Sequence, residues 1–415
     1  MRAGRQSISA RVKTIAPGTP IKADLNRAVS HVMKMMVIPG QSAHEGAVVR
    51  YIVDHLRRAG CPASAIGTDA ANRKSRLGGE TGNLIVKLAG RGSMRRAPRR
   101  MLMAHIDTVP VCVGTKPVRR GGWIVSADRN TGLGADDRAG SAVLLHAAEL
   151  VLRHKPDHPP LTFTWCVQEE PGLIGSRQLS VARLGRPAVA FNCDGGTPNK
   201  LTIGATGAYR MVIDVHGLAS HAGVAPQRGV SAITIASHAI ARLDRGGWLG
   251  NITKDRKHGT SNVGYIHAGG ATNVITNHAV LHAEMRSHDK VFRKRIVREF
   301  VNAFETAAKT VRSDDGRSGS VVIAYELDYE AFKLSRTSPA VVEAAAAVSA
   351  TGDEPVYFVC DGGLDANWTN AKGIPTVTFG AGQHNPHMVS EKLNVKAFEF
   401  GCRVGLALTI ARTGD

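Results

Sequence analysis

The chain has 415 residues, 43% of them apolar, and a formal net charge of +19. That length exceeds one ordinary core and points to two domains, while no stretch approaches the roughly 20 apolar residues of a membrane helix. The basic runs at 91–100, 119–120 and 293–298 lack aromatic neighbours for base stacking and carry no nucleic-acid-binding motif. The charge therefore reads as a solvated surface that draws carboxylate-bearing substrates, with no nucleic-acid and no membrane partner.

Residues 1–25 read as a loose basic arm without the apolar centre of a secretory signal. Helical spacing of apolar residues covers 25–36 and, after the break at Pro39-Gly40, 45–60. Strands are expected at 83–88, 101–105 and 123–126, a helix at 138–153, and strands at 161–167 and 188–193. This alternation predicts an α/β fold with a mixed, largely parallel sheet and helices on both faces. After Gly204 the pattern changes to strand 208–216, helix 230–243, strands 261–267 and 279–286, helix 289–309 and strand 320–329. That order is an α+β, ferredoxin-like unit, a compact sheet with two helices on one face, inserted at 207–330. The first fold then resumes with helix 339–349, strands 356–359 and 376–379, and a last helix 395–411. The division is thus 1–206 with 331–415 for one domain and 207–330 for the other.

The chemistry concentrates where apolar runs end. Strand 101–105 ends in His105-x-Asp107, at the end of a strand where open α/β sheets place their chemistry. Acidic clusters follow at Asp136-Asp137, Glu169-Glu170 and Asp194, and a further histidine, His387, lies in the segment HNPHMVSE. Several carboxylates brought together without basic partners repel one another, and cations are the simplest remedy. His105, Asp136, Glu170, Asp194 and His387 thus form a candidate ligand set for a pair of zinc-like ions. Asp136 alone would read as a helix-start residue. Adjacent Glu169 and Glu170 on extended backbone would point opposite ways, so one is a ligand and the other an acid–base group. Asp107 can accept the second ring N–H of His105 and fix its tautomer.

The motifs HIDTVP at 105–110, GADDRAG at 134–140, EEPGLIGS at 169–176, NCDGG at 192–196, SHAGVAPQRGVSAI at 220–233, GGATNVI at 269–275, EMRS at 284–287 and HNPHMVSE at 384–391 occur in this order along nearly the whole chain. In this the chain resembles the cocatalytic zinc metallopeptidases and amidohydrolases that include peptidase T, glutamate carboxypeptidase, acetylornithine deacetylase and succinyl-diaminopimelate desuccinylase. The segments TGLGADDRAG, NCDGG and GGLDANWTNAKGIPTVTFG are most similar to peptidase T-like members. Arg138 departs from the lysine usual after the Asp pair, and 199–204 is brief.

The resemblance implies two Zn²⁺ per subunit, with Co²⁺ or Mn²⁺ as substitutes. His105 and Asp194 would hold one ion, Glu170 and His387 the other, and Asp136 would bridge them. Glu169 would be the general base acting on a metal-bound water, and Asp107 would orient His105. It also implies a cis peptide at Asp136–Asp137. The inserted domain would be a lid that makes a homodimer, with His221 reaching the partner's site. Arg286, with Asn273 nearby, would grip a substrate carboxylate. The expected function is amide hydrolysis on small substrates, as an aminopeptidase-like exopeptidase on di- or tripeptides or as a deacylase on N-acyl amino acids. A purely binding protein would require loss of a ligand or of Glu169, and none is lost. Cys61, Cys112, Cys166, Cys193, Cys360 and Cys402 form no C-x-x-C pair, the pattern of reduced thiols in a cytoplasmic protein.

Overall fold

The computed structural model describes residues 21–410. The basic arm expected over 1–25 therefore lies, for 1–20, outside the described residues, as does residue 411.

A nine-stranded sheet runs in the order Ile66–Thr68, Leu84–Leu88, Leu161–Cys166, Arg100–His105, Val189–Cys193, Thr376–Phe379, Lys200–Ala205 and Phe332–Lys333, with Val356–Cys360 also paired to Lys200–Ala205. The four strands from Leu161–Cys166 to Thr376–Phe379 are mutually parallel. The pairs flanking them are antiparallel on both sides, at Leu84–Leu88 and at Lys200–Ala205. The sheet is thus mixed, as the alternation of strands and helices predicts, with its parallel run at the centre.

Both faces of the sheet are covered. Successive side chains of a strand point to opposite faces, so Leu102 and Ala104 join one core while Met101 and Met103 join another. The larger core also takes in helices Leu25–Val37, Gly46–Arg58, Ala135–His154, Pro339–Ala350 and Val395–Thr409. Side-chain caps start two of them: Asp24 accepts from the Arg27 N–H and Asn394 from the Ala397 N–H.

The insert is a five-stranded antiparallel sheet in the order Gly250–Lys254, Lys257–Ala268, His278–Ser287, Gly207–His216 and Ser320–Tyr329. Helices Ala232–Arg245 and Lys290–Thr310 pack on one face, around Ile213, Leu281, Ile296 and Phe300. Its first strand is absent from the sequence reading. It is joined to the next by Asp255-Arg256, both with positive φ (50° and 62°). Two-residue hairpins that need positive φ usually announce themselves with Asn-Gly or Gly-Gly, and Asp-Arg carries no such signature.

In a third sheet only the strand 123–126 is expected from the sequence. It pairs Gln383–His384, Lys392–Asn394, Trp123–Ser126 and Pro117–Arg120. Its first two strands bracket the 385–391 loop that bears His387. No helix among the described residues is long and apolar enough to cross a membrane.

Candidate metal centre

Parallel strands deliver their carboxyl ends to one edge of the sheet. Arg100–His105 ends on His105, whose register partner is Cys166, the last residue of Leu161–Cys166. Met103 is opposite Asn192, so two residues further along His105 and Asp194 come alongside. Glu169 and Glu170 follow Cys166 after a turn. Their backbone is not extended: Gln168 has φ 53°, and the N–H groups of Gly172 and Leu173 both bond to the Glu169 carbonyl. Glu169 and Glu170 therefore do not alternate as they would on extended backbone, because a tight turn sets their directions independently.

Asp136 lies at the centre. His105 Nε2 is 3.2 Å from Asp136 Oδ1, and His387 Nε2 is 3.3 Å from Asp136 Oδ2. His387 Nε2 is also 2.9 Å from Glu170 Oε2. Two sets of donor atoms converge, His105 with Asp136 and Asp194, and Asp136 with Glu170 and His387. Asp136 belongs to both. Two donors about 2.0–2.1 Å from a zinc ion at a tetrahedral angle lie about 3.3–3.4 Å apart, close to these spacings. The residues thus fit a pair of divalent ions in donor type and in spacing.

The electrostatics fit as well. Burial pushes Glu169 well above the usual carboxylate range; His105 pulls against it, and Asp365, Asp194 and Glu170 add to it. Burial, then Asp136, raises Asp194 to about 7. Burial opposes the charged form of His105, yet Asp107 and Asp136 hold that ring well above its ordinary value. Hydrogen bonds to Asp136 and Glu170 lift His387 to about 10. So many carboxylates require positive charge among them, from protons on these rings or from cations that take the ring lone pairs instead.

The supporting contacts explain why the cluster holds its shape. Asp107 is fully buried; its Oδ1 lies 3.3 Å from His105 Nδ1. It accepts from the N–H groups of Glu169 and Glu170 and, at 2.6 Å, from Ser42 Oγ. One carboxylate thereby ties the His105 strand to the glutamate turn. The Asp136–Asp137 peptide is cis. Helix Ala135–His154 becomes regular only after Asp137, so neither aspartate has helical backbone angles.

Several residues that hold the site were not singled out from the sequence. Glu391 accepts from the N–H groups of Leu133 (2.8 Å), Gly134 (2.6 Å) and Asp136 (3.0 Å), fixing the loop before the helix. Its only sequence signal was its place at the end of the His387 motif. Buried Asp137 accepts from Gln383 Nε2 at 2.6 Å and from the Gly140 N–H at 2.9 Å. Beneath the edge, Arg138 is buried, with Nη2 donating to the Gly40 carbonyl and its other nitrogens unpartnered. Burial lowers it to about 10, against the pull of Asp107 and Glu45. Burial and Asp107 raise neighbouring Glu45 to about 7.

The three candidates on the insert sit differently. His221 is exposed, and its Nδ1 accepts from the N–H groups of Gly223 and Val224. Asn273 is exposed, and its carbonyl accepts from the Ala222 N–H. Arg286 forms a two-pronged pair with Glu284, at 3.1 and 2.9 Å. None of the three shares a hydrogen bond or ion pair with the metal-centre residues.

Two overlapping His–carboxylate clusters at the carboxyl edge of a mixed sheet, beside an inserted α+β unit, define a metal-dependent hydrolase. Comparison with known proteins narrows this class. Residues 83–212 match the model described as Peptidase family M28, and 203–312 match the Peptidase dimerisation domain of M20 type. The chain is 30% identical to YqjE of Bacillus subtilis (strain 168), over 89% of this chain and 94% of that protein. It superimposes on a tripeptidase from Staphylococcus aureus with a TM-score of 0.82, at 27% identity over 93% of this chain and 98% of that one. For the aminopeptidase PepT of Bacillus cereus the TM-score is 0.79, at 29% identity, with the same coverage of both chains. The chain belongs to this family of M20-type, peptidase T-like metallopeptidases.

Proposed function

We propose that this enzyme is an exopeptidase, an aminopeptidase acting on di- or tripeptides, with two Zn²⁺ ions or, in their place, Co²⁺ or Mn²⁺. His105 and Asp194 would hold one ion and Glu170 and His387 the other, with Asp136 offering an oxygen to each. The observation that carries this reading is the sharing of Asp136 between two donor sets at metal-ligand spacing. The tripeptidase and the aminopeptidase among its structural relatives support the substrate class.

Bound divalent ions would supply Lewis acidity toward the amide carbonyl and a water of lowered pKa. Glu169 takes the proton from the attacking water and returns one to the leaving amine, as its raised affinity for protons suits. Asp107 keeps His105 in one tautomer while clamping the glutamate turn. Arg286, once released from Glu284, offers a fork that matches a peptide carboxylate, with Asn273 beside it, and the basic surface draws such substrates in.

Residues 207–330 serve as a lid and pair with the same unit of a second copy, an arrangement supported by the dimerisation-domain match. His221 then donates to the substrate carbonyl oxygen in the partner's cleft. A reducing cytoplasm suits the six free cysteines, five of them buried.

Turnover of a panel of di- and tripeptides, with free and blocked amino ends, beside N-acyl amino acids, each with added Zn²⁺, Co²⁺ or Mn²⁺, tests the reading. Cleavage confined to free amino ends is the expected result. Turnover of N-acyl amino acids with the peptides untouched would replace it by a deacylase.

A further inference from the structure

Two other His–carboxylate groups lie away from the cleft. Asp214, His216 and His278 lie on the insert's sheet, where His278 Nε2 pairs with Asp214 Oδ1 at 2.8 Å and both histidines are exposed. The other group, His31, His55 and Glu149, joins three helices: Leu25–Val37, Gly46–Arg58 and Ala135–His154.

In this group His31 Nε2 lies 3.0 Å from Glu149 Oε2, and His55 Nδ1 lies 3.4 Å from Glu149 Oε1. These separations match those of the catalytic cluster and the roughly 3.3 Å between two donors on one tetrahedral zinc ion. The two imidazole rings meet edge to face, with centroids 4.6 Å apart. The second nitrogen of His31 is held by the Tyr51 hydroxyl at 2.9 Å. Such an outer contact is what orients a metal-ligating histidine and fixes its tautomer. His31 and Glu149 are 3% and 1% exposed, and His55 Nδ1 is buried without a hydrogen bond. One helical turn before Glu149, His146 is also buried with both ring nitrogens unpartnered. His55 Nδ1 and both His146 ring nitrogens thus stand in an apolar layer without a hydrogen-bond partner, a costly arrangement without a ligand.

Arg27 is the competitor. It donates from Nε and Nη2 to both Glu149 oxygens, at 2.5 and 2.6 Å. Arg153 Nη2 adds a longer contact to Oε1 at 3.5 Å, so of the roughly four lone-pair positions of the carboxylate the one for a cation is that on Oε2 which His31 Nε2 now faces. The Arg27 side chain is 31% exposed and can turn toward solvent.

We propose that His31, His55 and Glu149 bind a third divalent cation of the zinc type, one that accepts two imidazoles and a carboxylate. The ion ties the two amino-terminal helices to the helix that follows directly on Asp136-Asp137. Its role is structural, and it is separate from the catalytic pair.

The test is a difference in metal content, independent of how many ions the cleft holds. Wild type and His55→Gln, full length and dialysed side by side against Zn²⁺, are compared by elemental analysis; cobalt-loaded samples are compared by visible absorption. The expected result is one equivalent fewer in His55→Gln, loss of one cobalt spectrum, a lower Tm and retained peptidase activity. Equal metal content and equal spectra would overturn the proposal and leave a purely ionic hub around Glu149. Should His55→Gln fail to fold, Tyr51→Phe removes only the hydroxyl that orients His31. The third equivalent should then bind about 10–100-fold more weakly, and unchanged binding would overturn the proposal in the same way.

Discussion

The carboxyl edge of the nine-stranded sheet and the inserted five-stranded sheet treat their polar residues in opposite ways. At the edge, donors as distant in sequence as Glu170 and His387, 217 residues apart, come within 3.0 Å. On the insert, His221 bonds to Gly223 and Val224, and Arg286 to Glu284 two residues away. Parallel strands explain the first case: each crossover returns the chain to the same edge, so separate segments empty into one place. Antiparallel strands explain the second, since their loops fold back on their own neighbours. The metal-ligand cluster at the edge is drawn from one chain, whereas residues on the insert join it only if the insert moves or a second copy supplies them.

The largest effect expected from this contrast is loss of the ions themselves. Exhaustive chelation should abolish turnover, and Zn²⁺, Co²⁺ or Mn²⁺ should restore it. Full activity in verified metal-free protein would break the comparison at its root. Next comes Glu169→Gln, which should keep its metal content and lose about 10²–10⁴-fold in kcat, because an amide cannot take the proton. A metal-loaded variant with wild-type kcat would remove Glu169 from the chemistry.

On the insert, His221→Ala should cost about 10²–10³-fold in kcat, the usual loss for one oxyanion donor. If that donor comes from the second copy, as proposed, mixing it with an inactive Glu169→Gln partner should recover part of the rate. No recovery, or no loss at all, would confine catalysis to one chain. Arg286→Lys is expected to raise KM for peptides by about tenfold while sparing kcat, since a single ammonium replaces a two-pronged fork. An unchanged KM would leave Arg286 as the ion-pair partner of Glu284.

The smallest effect concerns the electrostatic cost of the edge. Glu45 titrates at about 7 in the fold against 4.5 ordinarily. Between these values the folded state binds the extra proton, so stability falls as pH rises through that window and levels off above 7. Glu45→Gln keeps an acceptor for the Ala43 and Gln168 N–H groups. It should therefore raise Tm by a few degrees at pH 8 and have little effect at pH 4. An equal effect at both pH values would mean the carboxylate is compensated in place, with buried Arg138 the nearest candidate.

Much of this was already legible as pattern. The run ending in His105 reads as a buried strand, and the regular helix following Asp136-Asp137 begins where its apolar spacing begins. His105, Asp136, Glu170, Asp194 and His387 stand out because carboxylates and histidines at the ends of apolar runs are chemically conspicuous one segment at a time. The inserted unit is visible because its alternation differs from the continuous apolar runs around it, strands open on one face against strands buried on both. What only the tertiary structure decided are relations between distant segments. Glu391 holds the Leu133–Asp136 backbone from more than 250 residues away. Ser42 and Gln383 meet Asp107 and Asp137 across the fold. The small sheet that carries His387 forms from pieces of two to four residues. No local period encodes such contacts. A serine or glutamine reads the same on a surface loop as against a buried carboxylate, and only the packed core decides which it is.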